Sequence, residues 1–193
     1  WARVPGCRWA RSSGGPTPEF LSSTLLIAMV RNPYFWIVST ALSGYDITFL
    51  GSLRGGASER LHCRVDFGGR THSNLAELWN AYYRAYARYL EPLGARYVRL
   101  EDLVADPYAL VRALSGHIVV DDGPHRVELI EQIRATPARA HLPRVGPAGA
   151  VAGRLYRVSN VRSMLHPSDL EQINGSLDEG LMARFGYPIV KPD

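Results

Sequence analysis

The apolar run TLLIAMV, residues 24 to 30, followed at once by Arg31-Asn32-Pro33, constrains what this chain can fold into more than any other stretch. A short continuous apolar segment is the pattern of a strand buried on both faces, as strands of parallel sheets are. Arg31 ends the run. Asn32 can cap a helix, and Pro33 suits its first position because proline lacks an N–H that the opening turn would leave without a partner. The sequence therefore predicts a strand over 24–30, a tight turn, and a helix from Pro33 to about residue 43. An arginine at such a turn stands at the carboxyl edge of the sheet, where open α/β sheets bind ligands, beside exposed helix amides that favour an anion. Ser39 lies six residues beyond Pro33, about 9 Å along the helix axis. Arg31 folded along the helix and the Ser39 hydroxyl can meet on one phosphate. A turn of this composition also needs no ligand to explain it.

The rest of the chain repeats the alternation of strand and helix. SNLAELWNAYYRAYARYLE, residues 73 to 91, spaces its apolar positions as an amphipathic helix that Ser73 starts and Pro92 and Gly94 end. Its Tyr and Trp stripe fits core packing against the sheet better than the lining of a substrate pocket. RYVRL, residues 96 to 100, reads as a second strand, and Asp106-Pro107 as the cap and first residue of a helix over about 107–115. HIVV at 117–120 reads as a marginal strand and 127–135 as a helix; 137–153 is a Pro, Gly and Ala-rich loop. One closing helix from about residue 167 stops at Gly186. Residues 1 to 19 read as irregular, and 44 to 72, with six glycines, as a long loop holding at most a short helix. This pattern predicts an α/β fold with a mostly parallel sheet in a single domain, 1–193, whose segment 1–23 is irregular.

Composition narrows the function classes. At 193 residues, 46% apolar, the chain can build a real core. No run approaches the roughly 18 to 20 apolar residues that cross a bilayer. Net charge is +4, and 21 of the 22 basic residues are Arg, the better fork for phosphate, although a codon bias toward Arg accounts for this equally well. The aromatics fall on one helix face rather than alternating with basic residues, which argues against nucleic acid. Six histidines without an i, i+4 pair and two cysteines without ligand spacing, Cys7 and Cys63, argue against a metal site.

Taken together, VRNPYFWIVS, LAELWNAYYRAYARYL, VRLEDLVADPYALVRAL and DLEQINGSLDEGLMARFGYP resemble the sulfotransferase family, in this order and over most of residues 24 to 188. These enzymes move a sulfuryl group from 3′-phosphoadenosine 5′-phosphosulfate (PAPS) to an acceptor. The resemblance implies a P-loop nucleotide hydrolase-like, three-layer sandwich, incomplete at its N-terminus. It also implies PAPS as co-substrate, no metal, and a hydroxyl or amine acceptor on a carbohydrate or small molecule. Arg31 and Ser39, eight residues apart, match the pair that shares the cofactor's 3′-phosphate in that family. Their contacts would hold the donor and discriminate it, since the 3′-phosphate is remote from the reacting sulfur. Positioning and charge stabilisation dominate such a transfer.

Other family parts are unmatched. No lysine precedes Lys191, no Gly-Thr-Thr-like loop precedes the first strand, and CRWARS, with Trp9, stands where some relatives have Trp-Lys-His. No residue is assigned as catalytic base: Glu101 and Asp102 fit capping or pairing with arginines, and His62 and His72 fit a surface role. From Gln132 to Ser168 the chain carries six arginines and no acid, a stretch able to close over a phosphate; within it Arg154 and Arg157 are the candidates. The rival expectation is a catalytically inactive remnant that binds a nucleotide or a partner. A nucleotide kinase is disfavoured because it needs the same absent loop. The family works in the cytosol and in secretory lumens, and the sequence does not choose between them.

Overall fold

The computed structural model describes residues 18–22, 24–43, 46–51, 57–116 and 158–192. In chain order the described elements are α1 (Pro18–Ser22), β1 (Ile27–Val30), α2 (Pro33–Ser43), β2 (Thr48–Leu50), α3 (Ala57–His62), β3 (Arg64–Phe67), β4 (Arg70–His72), α4 (Leu75–Leu90) and β5 (Arg96–Arg99). After β5 come α5 (Leu100–Ala105), α6 (Pro107–Ser115), α7 (Val158–Met164), α8 (Pro167–Ser176) and α9 (Glu179–Arg184). They belong to two compact units, Leu100–Arg157 being one and the chain on either side of it the other. The expected strand at 117–120, helix at 127–135 and loop at 137–153 lie outside the described residues.

The fold is α/β. β1 and β5 pair in parallel, in register from Ile27↔Arg96 to Val30↔Arg99. The strand is shorter than the apolar run and alternates in burial: Ala28 and Val30 are buried, whereas Ile27 is 49% and Met29 44% exposed. Burial on both faces is thus corrected to burial on one. A continuous apolar run shows that both faces tolerate burial, not that both are covered. Helix α2 begins at Pro33 with Asn32 as its cap, as the turn predicts: the Asn32 Oδ1 accepts the Tyr34 N–H at 3.1 Å, and its carbonyl accepts the Trp36 N–H at 3.0 Å.

The expected loop over 44–72 is in large part a second sheet. Strands β2, β3 and β4 form an antiparallel meander, with Thr48↔Asp66 and Phe67↔Arg70 among its pairs. The reason lies at Gly68 and Gly69, whose φ angles of 61° and 74° are the left-handed values of a two-residue hairpin turn. α1 likewise replaces part of the irregular start, with Pro18 as its first residue.

α4 packs against β1, β3, β4, α2, α8 and α9. Leu75, Leu78, Trp79 and Tyr83 form its buried face, while Tyr82, Tyr86 and Tyr89 are half-buried, so the aromatic stripe is core at Trp79 and Tyr83. Its cap is Asn74 rather than Ser73. The Asn74 Oδ1 accepts the Glu77 N–H at 2.9 Å, while the Glu77 carboxylate reaches back to the Ser73 N–H and hydroxyl at 3.0 and 2.8 Å. The expected single closing helix is two, α8 and α9, broken at Leu177-Asp178. Asp178 caps α9 by accepting the Leu181 N–H at 3.0 Å, and Gly186, φ 69°, ends it. In the second unit, the Asp106 Oδ1 caps α6 through the Ala109 N–H at 2.8 Å, as expected.

Candidate functional site

The last ladder pair of the parallel sheet is Val30 with Arg99, so Arg31 is the first residue beyond the carboxyl edge of β1. Its backbone groups have left the ladder, and α4 supplies both partners. The Arg31 N–H donates to the Tyr83 hydroxyl at 3.0 Å, and the Arg31 carbonyl accepts the Trp79 indole N–H at 3.1 Å. The two rings lie 4.8 Å apart and are buried, with Phe185 against both at 5.6 and 6.4 Å. Arg31 itself is half-buried.

The helix start differs from the expectation of exposed amides. Pro33 has no N–H, the Tyr34 N–H is capped by Asn32, and Pro33, Tyr34 and Phe35 are buried. The opening turn of α2 is therefore packed into the core. Ser39 is half-buried two turns further on, next to buried Thr40. Arg31 and Ser39 both make contacts of their own within the chain. Arg154 and Arg157 lie outside the described residues; Arg162, in α7, is exposed.

Three arrangements near this edge went unread in the sequence. Arg99 donates to the Gly186 carbonyl at 3.1 Å and lies 5.5 Å from the centre of the Tyr187 ring. The C-terminal segment is thereby tied to the end of β5. The buried Tyr34 hydroxyl donates to Asn174 at 2.6 Å and accepts the Val190 N–H at 3.0 Å, and Asn174 returns a bond to the Val190 carbonyl at 2.8 Å. Burial pushes the Tyr34 phenol above its ordinary range. Asn80, on the turn of α4 next to Trp79, is buried and holds two backbone groups, as donor to the Ser176 carbonyl at 2.7 Å and acceptor of the Asp178 N–H at 3.0 Å. Spacing alone marks Trp79 and Tyr83 as core; it does not show which backbone their polar tips will find.

The candidate acid–base residues are engaged elsewhere or are remote in chemistry. His62, on α3, is bonded through Nε2 to Asp169 of α8 at 2.7 Å. Burial pulls the His72 imidazole below its ordinary pKa. Glu101 and Asp102 occupy the first turn of α5, where carboxylates complement the helix dipole. Among the described residues no group of three or more His, Cys, Asp or Glu could hold a metal ion, and no helix is long and apolar enough to cross a membrane.

No family model, curated protein or solved structure matches this chain.

Proposed function

We propose that this chain is a sulfotransferase-type domain, of P-loop-like three-layer architecture, that binds the 3′-phosphate end of PAPS through Arg31 and Ser39. The observation that carries this reading is the turn from β1 into α2. A parallel strand pair delivers an arginine to the carboxyl edge of the sheet, directly before a capped helix bearing a half-buried serine two turns on. Support also comes from the order of elements: strand, Arg-Asn-Pro, helix, aromatic helix, strand and Asp-Pro helix follow one another as the resemblance requires.

These residues fit the 3′-phosphate end of the nucleotide and not its reacting end. Lys191 is the only lysine in the chain, so no lysine-bearing loop is at hand for the 5′-phosphosulfate. When bound, the nucleotide supplies the sulfuryl group. What this chain's residues do is hold a dianion by a charge-assisted bond from Arg31 and a hydroxyl donation from Ser39. Calorimetric titration with 3′-phosphoadenosine 5′-phosphate against 5′-AMP tests the reading. Preference for the 3′-phosphorylated nucleotide should disappear in Arg31→Ala and weaken in Ser39→Ala. Equal binding by wild type and Arg31→Ala discards the assignment.

The lack of a lysine before Lys191 and of an assignable base favours a second reading, in which nucleotide binding persists without transfer to any hydroxyl or amine acceptor. A radiolabelled sulfate-transfer assay over sugars, phenols and peptides separates the two, since turnover excludes the second.

A further inference from the structure

We infer that Tyr83 and Trp79 are positioning residues for Arg31, fixing the backbone origin from which its side chain extends by clamping its peptide units from α4; this rests on the nucleotide reading above. The argument begins with the register. Because Val30 is the last residue paired to β5, the N–H and carbonyl of Arg31 would have to be satisfied by water or by a side chain. Both are satisfied by α4, which lies 48 and 52 residues further along the chain. Tyr83 and Trp79 are one helical turn apart, so their polar tips reach the same residue from one rigid face. That face is immobilised by packing, with Trp79 and Tyr83 almost wholly buried and Phe185 against both rings.

A phenylalanine in place of Tyr83 would fill the same space without an oxygen to desolvate, whereas the tyrosine accepts the Arg31 N–H. With its backbone held at both peptide groups, Arg31 has little backbone freedom left, and its side chain departs from a fixed origin. An arginine that must be ordered at the moment of binding pays that ordering out of its affinity, so pre-ordering raises discrimination for the group it meets.

The test is Tyr83→Phe in the full chain, titrated with 3′-phosphoadenosine 5′-phosphate and with 5′-AMP, beside wild type and Arg31→Ala, with thermal midpoints measured for all. The expected result is a fall of more than about twofold in the preference ratio for the 3′-phosphorylated nucleotide, with 5′-AMP affinity unchanged. A purely structural tyrosine would lower the midpoint and leave the ratio alone. If Arg31→Ala abolishes the preference while Tyr83→Phe keeps it within about twofold, the clamp is refuted and the nucleotide reading stands. If wild type shows no preference, the nucleotide reading falls and the clamp falls with it. Should Tyr83→Phe fail to fold, Trp79→Phe, which removes the indole N–H bonded to the Arg31 carbonyl, is read by the same ratio and the same limits.

Discussion

Replacing Asn80 with alanine should destabilise this protein more than any other single truncation of a polar side chain on α4. The Asn80 amide is buried and bonds two backbone groups at the break between α8 and α9, the Ser176 carbonyl at 2.7 Å and the Asp178 N–H at 3.0 Å. Removing it leaves both without the amide, and each such group costs roughly 1–3 kcal/mol, so the expected loss is about 2–6 kcal/mol. A whole domain is stable by only about 5–15 kcal/mol. For a chain of this size each kcal/mol moves the thermal midpoint by about 2–4 °C, which places the drop at about 4–24 °C. Urea unfolding followed by circular dichroism measures the difference directly. Asn74→Ala is the control, because Asn74 caps α4 and touches only the Ser176 hydroxyl across the interface; its cost should be near 1 kcal/mol. A loss below about 1 kcal/mol for Asn80→Ala, or one no larger than that of Asn74→Ala, would refute the claim that these two backbone groups depend on the amide.

Gly186→Ala should lower the thermal midpoint by about 2–8 °C, because φ is 69° and a new Cβ would lie 3.3 Å from the Arg99 guanidinium that bonds the Gly186 carbonyl; scanning calorimetry checks it. Hydrogen bonds from the Ser73 N–H and hydroxyl hold the Glu77 carboxyl below the usual carboxylate range. Its stabilisation is complete above the free-glutamate pKa of about 4.3 and is lost as pH falls through the lower native value, so Glu77→Gln should flatten the acid limb of a pH–stability curve. Burial, with the Glu91 carboxylate close by, pushes Tyr97 up to about 12, and burial also raises Tyr34. An unfolded chain ionises tyrosine near 10, so this stabilisation is complete below about pH 10 and lost as pH rises toward 12. Urea midpoints should fall across that window, and fall less in Tyr97→Phe.

Where a signal was local, the sequence was enough. Asn32-Pro33 and Asp106-Pro107 each determine a helix start through a side-chain cap and a missing N–H, and both helices begin there. Gly186 stops α9 because its backbone must turn left-handed. The meander over 48–72 departs from the expected loop although part of its signal is local: Gly68-Gly69 between VDF and RTH is a hairpin turn, whereas glycine content alone suggests loop. The split of the last helix is different in kind. Nothing in QINGSLDEG forces a break at Leu177, because the partner that stabilises it, Asn80, lies about 100 residues away in sequence, on α4. The same limit applies to the candidate site. Arg31 at the sheet edge follows from neighbouring residues alone, whereas the buried opening turn of α2 depends on what packs over Tyr34, including Asn174 and Val190.

These long-range dependencies converge on α4. Trp79, Asn80 and Tyr83 sit within one turn or so of that helix, and each directs its polar atom to a backbone of another element: the end of β1 in two cases, the α8–α9 break in the third. Phe185 closes the circle, since the residue that follows α9 packs on the two rings that hold Arg31. The geometry of the α8–α9 break and of the strand end are therefore supported by one helix face. An amphipathic pattern describes that face as apolar and is right about its burial, yet the organising contacts come from three polar-tipped side chains within it. Buried polar atoms are tolerated only when satisfied, and here satisfying them requires the edge of the parallel sheet and the C-terminal helices to hold specific positions against α4. The arginine at the sheet's rim owes its place to that requirement as much as to the turn that introduces it.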